Sequence, residues 1–250
     1  MRPEASREAP SAVFEGAASI RAVLESGSRA VLRVLCDRER AEARADELRF
    51  LRSRGIEPEF TDADTIAALA VGTSHGGLIA ECGDRDLPCL EKAALPARGF
   101  FVMLEGIEDP YNFGYALRSL YAAGVDGFAL PPRNWMSAAG VVCRASAGAS
   151  ERAALYTAPS AADAARTAHD AGYRVVCADT GRGSVDMYSA DLRKPLLLII
   201  GGERRGISRA VLDCADLIVR IPYGRRFPAA LSAASASTVL GFEVLRQNRV

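Results

Sequence analysis

At 250 residues the chain has room for one large domain or two smaller ones. Its 49% hydrophobic and 25% charged content is ordinary for a globular protein. Thirty-one basic residues cancel thirty-one acidic ones, so net charge alone points to no polyanionic partner.

No apolar run approaches the ~20 residues that span a bilayer, so no membrane partner is expected. The first sixteen residues mix acids and bases and lack an apolar segment, which argues against a signal peptide and for the cytoplasm. Six cysteines are scattered without a Cys-x-x-Cys pair; they read as buried free thiols, with no metal site and no disulfide framework. The bases are almost all arginine, the better bidentate ligand for phosphate, with Lys92 and Lys194 the two lysines.

Taken in order, residues 1–10 read as a leader rich in Pro, Glu and Arg. The spacing then predicts a helix over 12–25, with Ser11 as its cap and Gly27 beyond its end. A strand over 30–36 follows, then a charged helix over 38–54 with an apolar stripe through Ala41, Ala45, Leu48 and Leu51. A strand over 56–61, a helix over 62–70 and a strand over 77–82 complete an α/β unit at 11–83. Residues 84–98, with two prolines and mixed charge, are the expected linker.

The second half opens on a strong strand, 99–104, followed by Glu-Gly-Ile-Glu-Asp-Pro-Tyr-Asn-Phe-Gly and then Arg118. Asp109-Pro110 turns the chain, and Asn112 is placed to cap the helix that carries Arg118. Strands at 127–130 and 173–178 alternate with helices near 138–147 and 161–171. The apolar run Leu196–Ile200 then has strand length and the composition of a strand buried on both faces. This alternation predicts a parallel sheet covered on both sides.

That run stops at Gly201-Gly202, followed by Glu203-Arg204-Arg205-Gly206, a short helix, a strand over 217–221 and Pro222. A small-residue stretch, 229–237, leads into an apolar helix ending near Gln247. Two strand ends and a helix start thus meet where Gly, Ala, Ser and Pro dominate. Such a place suits a ligand gripped by main chain rather than by large side chains. Arg204, Arg205, Arg225 and Arg226 lie on the two loops beside it and are candidate phosphate contacts. Tyr223 and Trp135 could stack on bases. No strand is followed by Gly-x-Gly-x-x-Gly with an acid about 20 residues on, which disfavours a dinucleotide-dependent oxidoreductase.

Three of these motifs resemble those of the TrmH-type RNA ribose 2′-O-methyltransferases in the SPOUT superfamily. Asp109-Pro110-x-Asn112-x-Gly114 with Arg118 matches the first, and Gly201-x-Glu203-x-x-Gly206 with Ile221-Pro222 the second. The third, Ser-Leu-Asn-Val-Ser in the family, appears as Ala230-Leu231-Ser232-Ala233-Ala234. The resemblance implies a C-terminal α/β trefoil-knot domain at 99–250 with a parallel sheet, whose crevice holds S-adenosylmethionine. It implies cofactor contacts at Gly201, Gly202, Glu203, Gly206, Ile221, Pro222, Leu231 and Ala236. Catalytic roles would fall to Arg118, Asn112, Glu203 and Ser232, and RNA contacts to Arg118, Arg204, Arg205, Arg225 and Arg226.

A guanidinium keeps its proton at working pH, so an arginine here orients the hydroxyl and binds the flanking phosphate rather than acting as a base. His75-Gly76-Gly77 resembles the His-Gln-Gly of the family's N-terminal domain, which implies a ribosomal-protein-like RNA-binding domain at 11–83. The family resemblance also implies a homodimer paired through the last helix. The departures at Ala230 and Ser232 sustain a rival reading, a knotted RNA-binding protein without turnover.

Overall fold

The computed structural model describes residues 12–131 and 138–249. The leader, the Ser11 cap and Trp135 lie outside the described residues. The chain forms two compact units, residues 1–86 with 134–152, and residues 87–133 with 153–250.

In the first unit, β1 (Ala12–Glu15), β2 (Val31–Asp37), β3 (Glu59–Thr61) and β4 (Leu78–Cys82) form a sheet in the order β1-β4-β2-β3. The start of the expected first helix is a strand instead. Val13 and Phe14 pair antiparallel with Glu81 and Ala80, and α1 (Gly16–Ser26) begins only after them. Burying Phe14 completely against the sheet overrides a local pattern that also fits a helix. The charged helix is likewise shorter than expected: residues 38–44 form two 3-10 turns, and α2 (Ala45–Ser53) carries Leu48 and Leu51 into the core. Asp62 caps α3 (Ala63–Leu69), accepting from the Thr65 N–H at 2.8 Å.

Residues from the middle of the chain complete this unit. The helix α5 (Ala139–Ala145) contributes Ala139 and Cys143 to the core around Phe14, Ile20, Val34 and Leu78. It lies so close to β1 that a Cβ on Gly140 would stand 1.9 Å from the Val13 carbonyl oxygen. The next helix, α6 (Ala149–Arg152), is fastened by Glu151, which is 3% exposed. Its carboxylate accepts from Arg29 at 3.0 Å and from the Ser28 hydroxyl at 2.7 Å. Arg144 pairs with the buried Glu15.

The second unit has a seven-stranded sheet, parallel throughout its described ladders, in the order β7-β6-β5-β10-β8-β11-β9. Its strands are β5 (Phe100–Glu105), β6 (Gly127–Leu130), β7 (Leu155–Thr157), β8 (Arg174–Ala178), β9 (Val185–Asp186), β10 (Leu196–Gly201) and β11 (Leu217–Arg220). The short strands β7 and β9 at the two edges lacked a sequence signal. Leu196–Ile200 are buried throughout, as the run of apolar residues requires between two neighbouring strands.

The α7 helix (Ala161–Asp170) packs its alanines against Met103, Val175, Cys177 and Ile199. Elsewhere α4 (Pro110–Ala122) packs on α9 (Ala233–Asn248), where a Cβ on Gly241 would press to 2.9 Å from Leu120. The short α8 (Arg209–Leu212) joins β10 to β11.

The expected linker is no free tether. Leu90 is 2% exposed in the second unit's core, and Pro88 accepts from the Thr157 N–H at 2.9 Å. Pro96 accepts from the Tyr173 hydroxyl. A fragment starting at Leu95 would therefore discard Leu90 and leave α5 without its apolar partners. We expect it to be poorly soluble or to melt well below the full chain; an equal melting temperature by calorimetry would contradict this assignment of α5.

Candidate active site

At the carboxyl ends of β5 and β10 two glycine turns touch backbone to backbone. The Gly202 N–H donates to the Glu105 carbonyl at 2.7 Å, and the Gly206 N–H returns to the Gly202 carbonyl at 2.9 Å. A Cβ on Gly202 would lie 2.2 Å from the Gly106 oxygen, and one on Gly201 would lie 2.4 Å from the Gly206 carbonyl carbon. Neither glycine can carry a side chain unless main chain moves. Gly206 has φ +60° and Gly106 +70°, a region that other residues enter at a cost.

Above this turn is a crevice of about 190 Å³, where the ends of β8, β10 and β11 meet the start of α9. Gly201, Gly202, Glu203, Gly206, Ile221, Leu231 and Ala236 line it together, as the sequence motifs imply, whereas Pro222 is not among its lining residues. Sequence reasoning missed Ala178, Asp179 and Thr180 at the end of β8 and Leu240 on α9, and read Tyr223 as a base-stacking residue rather than as part of this wall. Adjacency of β8 to β10 in the sheet brings the β8 residues there, and no local motif signals that order.

The walls provide apolar surface at Ile200, Val219, Leu231 and Leu240, and polar groups at Asp179 and Thr180. A nucleoside with an amino-acid tail fits that donor set: flat apolar walls for a base, polar groups for a ribose or an ammonium.

A second crevice of about 440 Å³ adjoins the first through Gly202, Glu203 and Ala233. It is also lined by Glu108, Asp109, Asn112 and Arg204. Asn112 is not the cap expected of it. Asp109 caps α4, accepting from the Asn112 N–H at 2.7 Å, with Pro110 at the first helical position. The Asn112 side chain is thereby left to line the crevice.

Glu203 reaches the other helix: its carboxylate accepts from the Ala233 N–H at 3.4 Å, at the start of α9. Ser232 is the N-cap of α9, accepting from the Ser235 N–H at 3.2 Å and donating to the Ser235 hydroxyl at 3.0 Å. Arg118 is exposed on α4 and lines neither crevice. Arg205, Arg225 and Arg226 are also exposed, while Arg204 pairs with Glu108 at 3.7 Å.

His75 in the first unit is a turn residue whose Nδ1 accepts from the Gly77 N–H at 3.1 Å. Burial pushes the thiols of Cys82, Cys143 and Cys177 up to about 12, so they stay protonated and unreactive. No helix among the described residues is long and apolar enough to cross a membrane.

The sequence profile of the SpoU rRNA methylase family matches residues 99–241. A second profile, for RNA 2′-O ribose methyltransferase substrate binding, matches residues 13–87. The chain belongs to the SpoU methylase family. It is an RNA ribose 2′-O-methyltransferase that takes its methyl group from S-adenosylmethionine.

Among its relatives, a 23S rRNA (guanosine-2′-O-)-methyltransferase, RlmB, of Shewanella oneidensis is 28% identical, covering 95% of this chain and 98% of that protein. An uncharacterized tRNA/rRNA methyltransferase of Mycobacterium avium is 34% identical, over 64% of this chain and 51% of its own length. The crystal structure of the SpoU methyltransferase AviRb from Streptomyces viridochromogenes, in complex with AdoMet, is 25% identical. It superposes with a TM-score of 0.77 over 94% of this chain and 89% of that one.

One carboxylate that sequence reasoning passed over supports the methylase turn from below. Glu105 ends β5, and one oxygen of its carboxyl group is buried without a hydrogen-bond partner. Burial pushes this carboxyl above the ordinary carboxylate range, and the nearby Ser208 backbone offsets part of the rise. The folded chain therefore holds this proton more tightly than the unfolded chain. Its contribution to stability is full below the ordinary carboxylate pKa and is lost as pH rises through the raised value. Glu105→Gln should remove that dependence, gaining on the native protein toward pH 8. Urea denaturation between pH 4 and 8 tests it; an equal loss at every pH would refute the assignment.

Proposed function

We propose that the 190 Å³ crevice holds S-adenosylmethionine, and that methyl transfer takes place where it opens into the 440 Å³ crevice. The observation that carries this reading is the double glycine contact, which removes side chains from the crevice floor and turns main chain toward a ligand. When bound, the sulfonium supplies an electrophilic methyl group. The protein's own groups place the acceptor. Asn112 and Glu203 line the acceptor side, and Ser232 holds the first turn of α9 so that Leu231 and Ala233 keep their places.

Arg118 lies outside both crevices of its own chain, so its planar fork of donors is assigned to the ribose hydroxyl and neighbouring phosphate at the second subunit's site in the homodimer proposed below. Arg204, Arg205, Arg225 and Arg226 extend the phosphate track. Ile221 and Pro222 end the strand that supports the cofactor side. Residues 11–83 grip the RNA and residues 99–250, threaded as a trefoil knot, carry the chemistry. Ribosomal RNA in the cytoplasm is the proposed substrate. The full-length likeness to a 23S rRNA enzyme supports it.

In this reading Arg118→Ala leaves cofactor affinity close to native while methyl transfer falls by roughly 10²–10³-fold, and Arg118→Lys rescues little. Calorimetry with S-adenosylmethionine and tritium transfer to RNA from an unmodified strain measure the two. Full activity in Arg118→Ala would discard the role.

Ser232 still caps α9 despite its departure from the family's asparagine, so the Ala230 and Ser232 departures do not by themselves select an RNA-binding protein without turnover. Absence of both cofactor binding and methyl transfer in the native protein would select it.

We also propose a homodimer. Ser235, Val239, Phe242 and Arg246 fall on one face of α9, and Phe242 is exposed there although the opposite face is packed. Sedimentation at micromolar concentration should show a dimer that Phe242→Arg dissociates; a native monomer would exclude it.

A further inference from the structure

The loop between β11 and α9 has a composition that cofactor binding does not require. From residue 217 to 242 the sequence contains no acid and three arginines, Arg220, Arg225 and Arg226. Arg220 is engaged with Ser184, whereas Arg225 and Arg226 are exposed and, among the described residues, paired with no acid. Two aromatic rings stand between and beside them. Tyr223 is 38% exposed and Phe227 55%, with ring centroids 6.3 Å apart and planes at 49°.

The Tyr223 ring is anchored: its hydroxyl accepts from the Leu231 N–H at 3.0 Å, and it forms part of the cofactor crevice wall. The Phe227 ring therefore sits one ring outward from the crevice. Leaving a phenyl ring half exposed in water wastes apolar area unless a partner covers it.

We propose that Tyr223 and Phe227 form a stacking platform for an unpaired RNA base next to the target ribose, with Arg225 and Arg226 on the phosphates of that strand. This rests on the RNA methyltransferase reading and sharpens it: the substrate is a loop or single strand, not a duplex. An aromatic face offers stacking to any base, but only one taken out of a helix can reach it. The unopposed positive charge of the loop selects a polyanion over an apolar protein surface. Fixing the platform to the crevice wall places the stacked base within a nucleotide of the reacting hydroxyl.

The test uses the full-length protein, a single-stranded 12-mer of uridine, and a 12-base-pair RNA duplex, with anisotropy read at several salt concentrations. Phe227→Ala should weaken single-strand binding by roughly tenfold with an unchanged salt slope, and Phe227→Tyr should retain it. Arg225→Gln with Arg226→Gln should instead reduce the slope by about 1.4, or about 0.7 per phosphate. Duplex binding should not respond to Phe227→Ala, and calorimetry should show native affinity for S-adenosylmethionine in all three variants.

Native single-strand affinity in Phe227→Ala would overturn the platform. So would loss of S-adenosylmethionine binding, which would make the ring a cover for the cofactor, or a dimer-to-monomer shift on sedimentation. A native protein that binds neither RNA would overturn the underlying RNA reading itself.

Discussion

The second unit depends on one close approach, that of the turn after β10 to the turn after β5. Their parallel ladder runs in register from Leu196 opposite Phe100 to Gly201 opposite Glu105. It ends where Gly202 and Gly106 meet with no room for a Cβ. A side chain at either Gly201 or Gly202 would force the strand ends apart. The crevice floor would then be lost with the ladder's last bonds, because overpacking of backbone against backbone has no soft rotamer to absorb it. Glu105 holds this junction through its carbonyl, which accepts from the Gly202 N–H.

Polar side chains at the site mostly organise main chain. Asp109 caps α4, Ser232 caps α9, and Glu203 reaches across to the first turn of α9. Each satisfies an N–H that a helix start would otherwise leave unpaired, and each fixes a helix end at the rim of a crevice. The Ser232 geometry also gives the departure from the family's asparagine a physical meaning. Serine and asparagine are both strong N-caps, so the exchange keeps the helix start while changing what is presented beside it.

The first unit is held by a different kind of contact. Two helices from the middle of the chain, α5 and α6, supply part of its core and most of its buried ion pairs. Glu151 with Arg29, and Glu15 with Arg144, are carboxylates almost fully removed from water. Removing one member of such a pair strands a buried charge, which costs far more than the pair contributes. The folded chain thus divides within the expected linker, between Asp86 and Leu87, but the first unit also takes in α5 and α6 from the middle of the chain.

Local chemistry made much legible from the residues alone. Leu196–Ile200 had to be a buried strand, and Gly201-Gly202 had to end it in a turn open to a ligand. The strand at 127–130 and the helix at 161–170 stand close to where periodicity puts them. The ordered motifs around Gly206 and Leu231 marked much of one crevice wall, and the motif around Asn112 part of the other.

What failed was whatever depends on partners distant in sequence. Residues 12–15 pair as a strand because β4 lies beside them, and Asp179 and Thr180 reach the crevice wall because β8 neighbours β10. The assignment of α5 to the first unit, the burial of Leu90 and the raised carboxyl of Glu105 have the same origin. Composition and spacing determine what a segment can bury and where it can turn. Which surfaces meet is decided only when the whole chain closes, since that choice rests on contacts between residues many positions apart.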